Sequence, residues 1–94
     1  MQSKAVADPL VALGRAVREG REKAGISQEK CGELAGLHRN EIGSLERGEK
    51  NVSFINLVRV CRALRTTPSE LLKRFTLASI QNLPPKRRSL RREK

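Results

Sequence analysis

Three side chains in the stretch "LHRNEIGSLERG", Leu37 to Gly48, have the chemistry to read the edges of base pairs: Arg39, Asn40 and Ser44. Arginine can make a bidentate contact to guanine O6 and N7, asparagine can do the same to adenine N6 and N7, and a serine hydroxyl serves either. A helix would bring them together. At roughly 100° per residue counted from Arg39, the residues Arg39, Gly43, Arg47, Asn40 and Ser44 fall between about 0° and 140°, while Ile42 and Leu45 fall near 300° and 240°. The aliphatics therefore face a core and the others share one polar sector. Gly43 sits in the middle of that sector. A glycine inside a helix costs about 1 kcal/mol against alanine, so its presence suits a surface that closely approaches another molecule. A tolerated substitution and a merely solvated polar face are the competing readings.

Other chemistries find less support. His38 has no second ligand spaced near it, so it is expected to serve as a helix cap or a phosphate contact rather than as a metal ligand or catalyst. Cys31 and Cys61 stand thirty positions apart with no neighbouring Cys or paired His, which spells neither a zinc site nor a redox CxxC. They are expected as small core thiols, with redox sensing the lesser alternative. No carboxylate pair, Cys/His dyad or phosphate-cradling glycine loop is present. Enzymatic activity is not expected, nor a metal or cofactor.

The composition points the same way. The 94 residues suit one domain with one small core. A net charge of +10 favours a polyanionic partner, nucleic acid or an acidic membrane surface. Two Phe with no Tyr or Trp leave almost no platform for stacking single-stranded bases, so double-stranded DNA is the more natural partner. No apolar run approaches the roughly 18 residues of a spanning helix, and the first residues lack a sustained apolar region. A cytoplasmic, nucleoid-associated protein with no membrane contact is expected.

The elements that must position these residues are all helical. Asp8 is an N-cap with Pro9 at the first helical position, and Leu10, Leu13 and Val17 form a stripe running toward Gly25, so helix 1 is about Pro9 to Ala24. Ser27 caps a second helix that ends at Gly36, with Ile26 and Cys31 as a hydrophobic staple. His38 caps a third, about Arg39 to Arg47. There Leu37 and Ile42 are the staple pair, Glu41 suits the positive helix end and Gly48 terminates. Ser53 starts a fourth, in which Ile55, Val58, Cys61 and either Arg62 or Leu64 continue the turns. "TPSE", Thr67 to Glu70, is a capping box that opens a fifth helix carrying Leu71, Leu72, Phe75 and Ala78. No segment alternates convincingly with period two. The fold class is all-α: a compact five-helix bundle over residues 9–83, after an N-terminal segment 1–8. From Pro84, "PPKRRSLRREK" has six basic residues and one acid, a tail expected to be disordered when free. It carries +5, which leaves +5 on residues 1–83.

The span "LGRAVREGREKAGISQEKCGELAGLHRNEIGSLERGEKNVSFINLVRVCRALRTTPSELL" resembles the Cro/phage-repressor type of helix-turn-helix domain, the XRE family, over about sixty residues. "REKAGISQ", "ELAGLHRNEI", "LERGEKN" and "ALRTTPSELL" carry the resemblance most specifically. It implies a lambda-repressor-like DNA-binding domain in which helix 2 braces against the DNA backbone and helix 3 enters the major groove. Within the family the chain is similar to small stand-alone regulators such as the controller proteins of restriction-modification systems, which lack an effector domain and dimerise through their C-terminal helices. Matched position by position, Arg39, Asn40 and Ser44 stand where the family reads bases. Gln28 stands where it clamps a phosphate, with Ser27 and His38 at adjoining helix starts. Arg47, Lys50, Asn51 and Ser53 match backbone-contacting positions. Arg21 and Glu46 match a partly buried ion pair joining helix 1 to helix 3, read as scaffold. The stripe Leu71, Leu72, Phe75 and Ala78 is the expected homodimer interface, with closure of the domain core as its alternative. The chain departs from the pattern at Gly32 and Gly43, where Ala and a small polar residue are commoner, and at Cys31 and Cys61, which replace aliphatic or Ala residues.

The expectation is a transcriptional regulator acting as a homodimer on a near-palindromic operator, controlled through its own concentration. Two alternatives stand beside it. One is an antitoxin-like or bridging protein-interaction module; the other is a non-specific nucleic-acid binder driven by the basic tail.

Overall fold

Cap signals written into the sequence account for the helices. The computed structural model describes residues 8–81 and 83, which form α1 (Pro9–Ala24), α2 (Gln28–Ala35), α3 (Arg39–Glu46), α4 (Phe54–Leu64), α5 (Pro68–Leu71) and α6 (Leu77–Ile80). Asp8 accepts from the Leu10 N–H at 3.0 Å, with Pro9 in the first turn where its missing N–H costs nothing. Ser27 accepts from Lys30 N–H and Ser53 from Asn56 N–H, at 3.0 and 3.1 Å. At α3 the His38 Nδ1 accepts from Asn40 N–H at 3.0 Å, while the Glu41 carboxylate accepts from His38 N–H at 3.2 Å. Both ends of that capping box act on the helix that carries Arg39 and Asn40. Gly25, Gly36 and Gly48 take the left-handed conformation that reverses the chain after α1, α2 and α3.

Two expectations are corrected. The fifth helix is not continuous: α5 stops at Leu71, and Thr76 caps a separate α6 by accepting from Ser79 N–H at 3.2 Å. The Ser79 hydroxyl, buried, lies 3.0 Å from the Arg74 carbonyl and 2.9 Å from that of Thr76, so the break is held by side chain to backbone bonding. Among the described residues there are thus six helices, not five. In α4 the inward stripe is Leu57, Val60, Cys61 and Leu64, whereas Ile55 and Val58 face outward. Of the segment 1–8 only Asp8 falls among the described residues, and the basic tail 84–94 lies outside them.

α2 packs against both α3 and α4, α3 also packs against α1, and α5 closes on α1 and α4. Val17, Cys31, Ile42, Val60 and Cys61 meet at the centre, each essentially inaccessible. Burying an aliphatic of this size contributes about 1.5–3 kcal/mol, so the four main helices are held by one shared core. Both cysteines are unbonded and buried, as small core residues. α3 is seated tightly on α1, because a Cβ at Gly14 would lie 2.5 Å from the carbonyl oxygens of Leu45 and Glu46. A Cβ at Gly32 would lie 2.5 Å from the Leu37 carbonyl, so the departure from alanine there accommodates the turn between α2 and α3. None of the helices among the described residues is long and apolar enough to cross a membrane.

Candidate nucleic-acid interface

Helix α3 divides its own surroundings. Ile42 and Leu45 are buried, and the opposite side forms the floor of a groove bounded by the start of α2. Arg39, Asn40, Gly43, Ser44 and Arg47 line it from α3, Ser27, Gln28 and Glu29 from α2, and Arg21 from α1. Arg39 and Asn40 are exposed in the first turn, and Ser44 stands one turn further on, half-buried. The wheel therefore holds for the side chains: Arg39, Asn40, Ser44 and Arg47 line one concavity, while Gly43 between them is buried under Arg47.

Six residues expected from the sequence to contact DNA line this groove, Ser27, Gln28, Arg39, Asn40, Ser44 and Arg47, together with Gly43 and the scaffold residue Arg21. Lys50, Asn51 and Ser53 do not. They line a separate hollow with Asn56, on the side of α3 marked by Glu41 and Leu45. His38 lines neither; its Nδ1 is committed to the cap. Ser27 and Ser53 likewise use their hydroxyls as caps, leaving the first backbone N–H groups of α2 and α4 pointed outward at the positive helix ends.

Behind the groove lies an ion-pair network. Arg21 donates to Glu46 from Nε at 2.6 Å and from Nη2 at 3.1 Å, and its Nη1 donates to the Ile26 carbonyl at 2.9 Å. The side chains are 13% and 4% exposed. The hydrogen bond to Glu46 raises the Arg21 pKa further against the opposing effect of burial, so the guanidinium stays charged at every accessible pH. Gln28 Nε2 donates to the same carboxylate at 3.0 Å. One residue from each of α1, α2 and α3 is thus tied at a single carboxylate, and the Gln28 amide is held in a fixed orientation at the groove wall.

Two features were not anticipated from the sequence. Arg47 is paired with Glu49 through Nε at 3.0 Å and Nη2 at 3.1 Å, with Ser44 Oγ 3.5 Å from Nη2. Its hydrogen bond from Arg47 holds the Glu49 carboxyl below the usual carboxylate range. The guanidinium lies back over Gly43, where a Cβ would come 3.1 Å from Arg47 Nη1 and 3.5 Å from Gln28 Oε1. What approaches Gly43 closely in this structure is the chain's own arginine. The second feature is Glu29, which brings an acidic group to the groove edge. The signal for Glu49 was present in "ERGEK", since an acid two residues past an arginine across a glycine turn can fold back upon it.

Known proteins are similar to this chain in sequence and fold. The helix-turn-helix family profile matches residues 17–71, from the second half of α1 through α5. The control protein C.SmaI of Serratia marcescens is 42% identical over 69 residues, covering 73% of this chain and 82% of that protein. The control protein C.BamHI of Bacillus amyloliquefaciens is 38% identical over 70 residues, covering 73% and 86%. Among solved structures, the restriction-modification controller protein C.AhdI from Aeromonas hydrophila superposes with a TM-score of 0.66 at 43% identity, over 67% of this chain and 96% of that one.

Proposed function

The chain belongs to the helix-turn-helix family of DNA-binding transcription regulators, a family of binding proteins rather than enzymes, and on that premise we propose that it acts as a homodimer on a near-palindromic operator in double-stranded DNA. The observation that carries the reading is the α3 groove, with Arg39 and Asn40 exposed side by side in its first turn. Helix α3 enters the major groove. Arg39 and Asn40 contact base edges there, with Ser44 one turn deeper. Ser27, Gln28 and the N–H groups opening α2 meet one phosphate stretch, while Lys50, Asn51 and Ser53 meet the next at the start of α4; His38 and Arg47 complete the backbone contacts. The two hollows flanking α3 suit two such backbone contacts on either side of one inserted helix.

Two copies present their α3 helices to successive major grooves, with half-sites about 34–36 Å apart. The C-terminal half of the domain supplies the contact. Leu71 lies in the core and supports the interface from beneath, Leu72 and Phe75 are half-buried against that core, and Ala78 is exposed. Leu77 and Ile80 of α6, with Phe54, Ile55 and Val58 on one side of α4, are exposed apolar side chains that a second copy would cover. The protein works in the cytoplasm on the nucleoid, needs no cofactor, and is controlled by its own concentration through dimerisation.

Selection from a random duplex pool at physiological salt, with the full chain and with a version ending at Leu83, tests the reading. A shared two-fold symmetric motif is the expected result. No enriched motif, or enrichment that vanishes without the tail, would favour a non-specific binder instead.

A further inference from the structure

A second concavity lies on a different face of α1 from Arg21 and shares no residue with the α3 groove. It encloses about 530 Å³ between α1, the end of α4 and α5. Its floor is apolar: Gly20 and the exposed Ala24 of α1 lie over Ala16, Leu64 and Leu71, which are buried in the core beneath. Gly20 lets the leucines close onto α1 at the bottom of the groove, since a Cβ there would lie 3.1 Å from Leu64 Cδ1 and 3.9 Å from Leu71 Cδ1.

The rim is cationic. Lys23, Arg65, Lys73 and Arg74 face two carboxylates, and both carboxylates are taken: Arg74 Nη2 binds Glu19 at 2.6 Å and Lys73 Nζ binds Glu70 at 2.8 Å. Arg65 forms no ion pair among the described residues, and Lys23, outside ion-pair distance, acts on Glu70 only through its charge. Arg65 is also the one non-glycine among the described residues with positive φ, at 60°. It ends α4 in the left-handed conformation that glycine fills after α1, α2 and α3. A side chain there is sterically disfavoured, and the residue chosen is a cation at the mouth of an apolar groove.

We propose that this groove docks an acidic amphipathic helix of a partner protein, with its apolar side along Gly20 and Ala24 above the buried Ala16, Leu64 and Leu71 and its carboxylates against Lys23 and Arg65. Charge complementarity selects the acidic partner. The shape suits a helix: the α1 side of the floor repeats every fourth residue for about 12 Å. Because Arg21 and the α3 groove occupy another face of α1, the partner and DNA can be held together, which makes the groove a route to a second protein for a DNA-bound regulator.

The test is nitrogen-15 NMR titration of the full chain with a helical peptide of about four turns, leucines on one face and glutamates flanking them. Saturable shifts at Gly20, Ala24, Leu64 and Arg65, with Arg39 to Ser44 unmoved, are expected. Arg65→Gly should keep or raise the thermal midpoint, since glycine accepts the turn, yet weaken the peptide about threefold, and adding Lys23→Ala should bring the loss to about tenfold. Shifts confined to the α3 groove, equal binding of a peptide of the same composition in scrambled order, or unchanged affinity in the double variant would overturn the proposal. So would saturation of the groove by decanoate with no response to the peptide, which would mark a small-molecule site.

Discussion

The Glu46 carboxylate accepts both a bidentate pair from Arg21, twenty-five positions away, and the side-chain amide of Gln28. With Glu46 only 4% exposed, this single group fixes the angle of α3 against α1 and sets the stance of Gln28 at the groove wall. The reading surface and the fold therefore share a component.

Breaking that pair should unfold a large fraction of the protein's stability. Arg21→Met or Glu46→Ala strands a desolvated charge, and each is expected to cost about 3–5 kcal/mol in urea denaturation. Arg21→Met combined with Glu46→Leu should recover much of it, because no lone charge remains. Single variants that lose under about 1 kcal/mol would mean that water reaches the pair.

The Arg47–Glu49 pair gives the opposite kind of prediction. Both side chains are well exposed, so the fold should be indifferent to Glu49→Gln. Phosphate must compete with this carboxylate for the guanidinium, and removing it should raise affinity several-fold for cognate and scrambled duplex alike at low salt. A gain confined to the cognate sequence would assign Arg47 to base reading instead.

Arg39→Ala and Lys50→Ala should separate specificity from affinity. The first is expected to cost about 1–3 kcal/mol and relax preference at one base pair; the second should weaken every sequence and shallow the salt dependence by about one phosphate contact. Equal losses on cognate and scrambled DNA for Arg39→Ala, measured by fluorescence anisotropy, would remove it from the base-reading set.

Two glycines in helices should respond in opposite directions to alanine. At Gly14 the new methyl meets backbone carbonyls that cannot move independently, and a loss of about 1–3 kcal/mol is expected. At Gly43 its one tight contact is the mobile end of Arg47, with Gln28 Oε1 at an ordinary 3.5 Å, so stability should hold or rise by up to about 1 kcal/mol while DNA affinity changes as Arg47 is displaced. Thermal denaturation of the two variants checks both signs.

Burial pushes both thiols upward from their ordinary 9.0, and Glu46 adds to the effect at Cys31 against Arg21. Folding thus favours the protonated thiols: their contribution is whole below about pH 9 and is lost as pH climbs through the raised values. The stability lost between about pH 8 and pH 10.5 should be smaller in a Cys31→Ala/Cys61→Ala variant than in the parent. At neutral pH both thiols should resist a thiol reagent until denaturant is added.

The sequence by itself determined the features that act within a turn. The caps at Asp8, Ser27, His38, Ser53 and Thr67, and the glycines after the first three helices, set helix starts and stops, because a side chain satisfies N–H groups only two or three residues ahead. Arg39, Asn40 and Ser44 shared a face for the same reason: helical period is local. The extension of the fifth helix failed where apolar spacing continued but Thr76 and Ser79 offered the backbone a competing set of bonds. Which face of α4 would be buried was not legible either, since Ile55 and Leu57 are equally apolar and only the positions of α1 and α2 decide between them. Tertiary structure alone separated Lys50, Asn51 and Ser53 from the α3 groove and opened the hollow beside Gly20. Each depends on where one helix stands relative to another, through contacts as far apart in sequence as Glu19 and Arg74, and no local rule reaches across that distance.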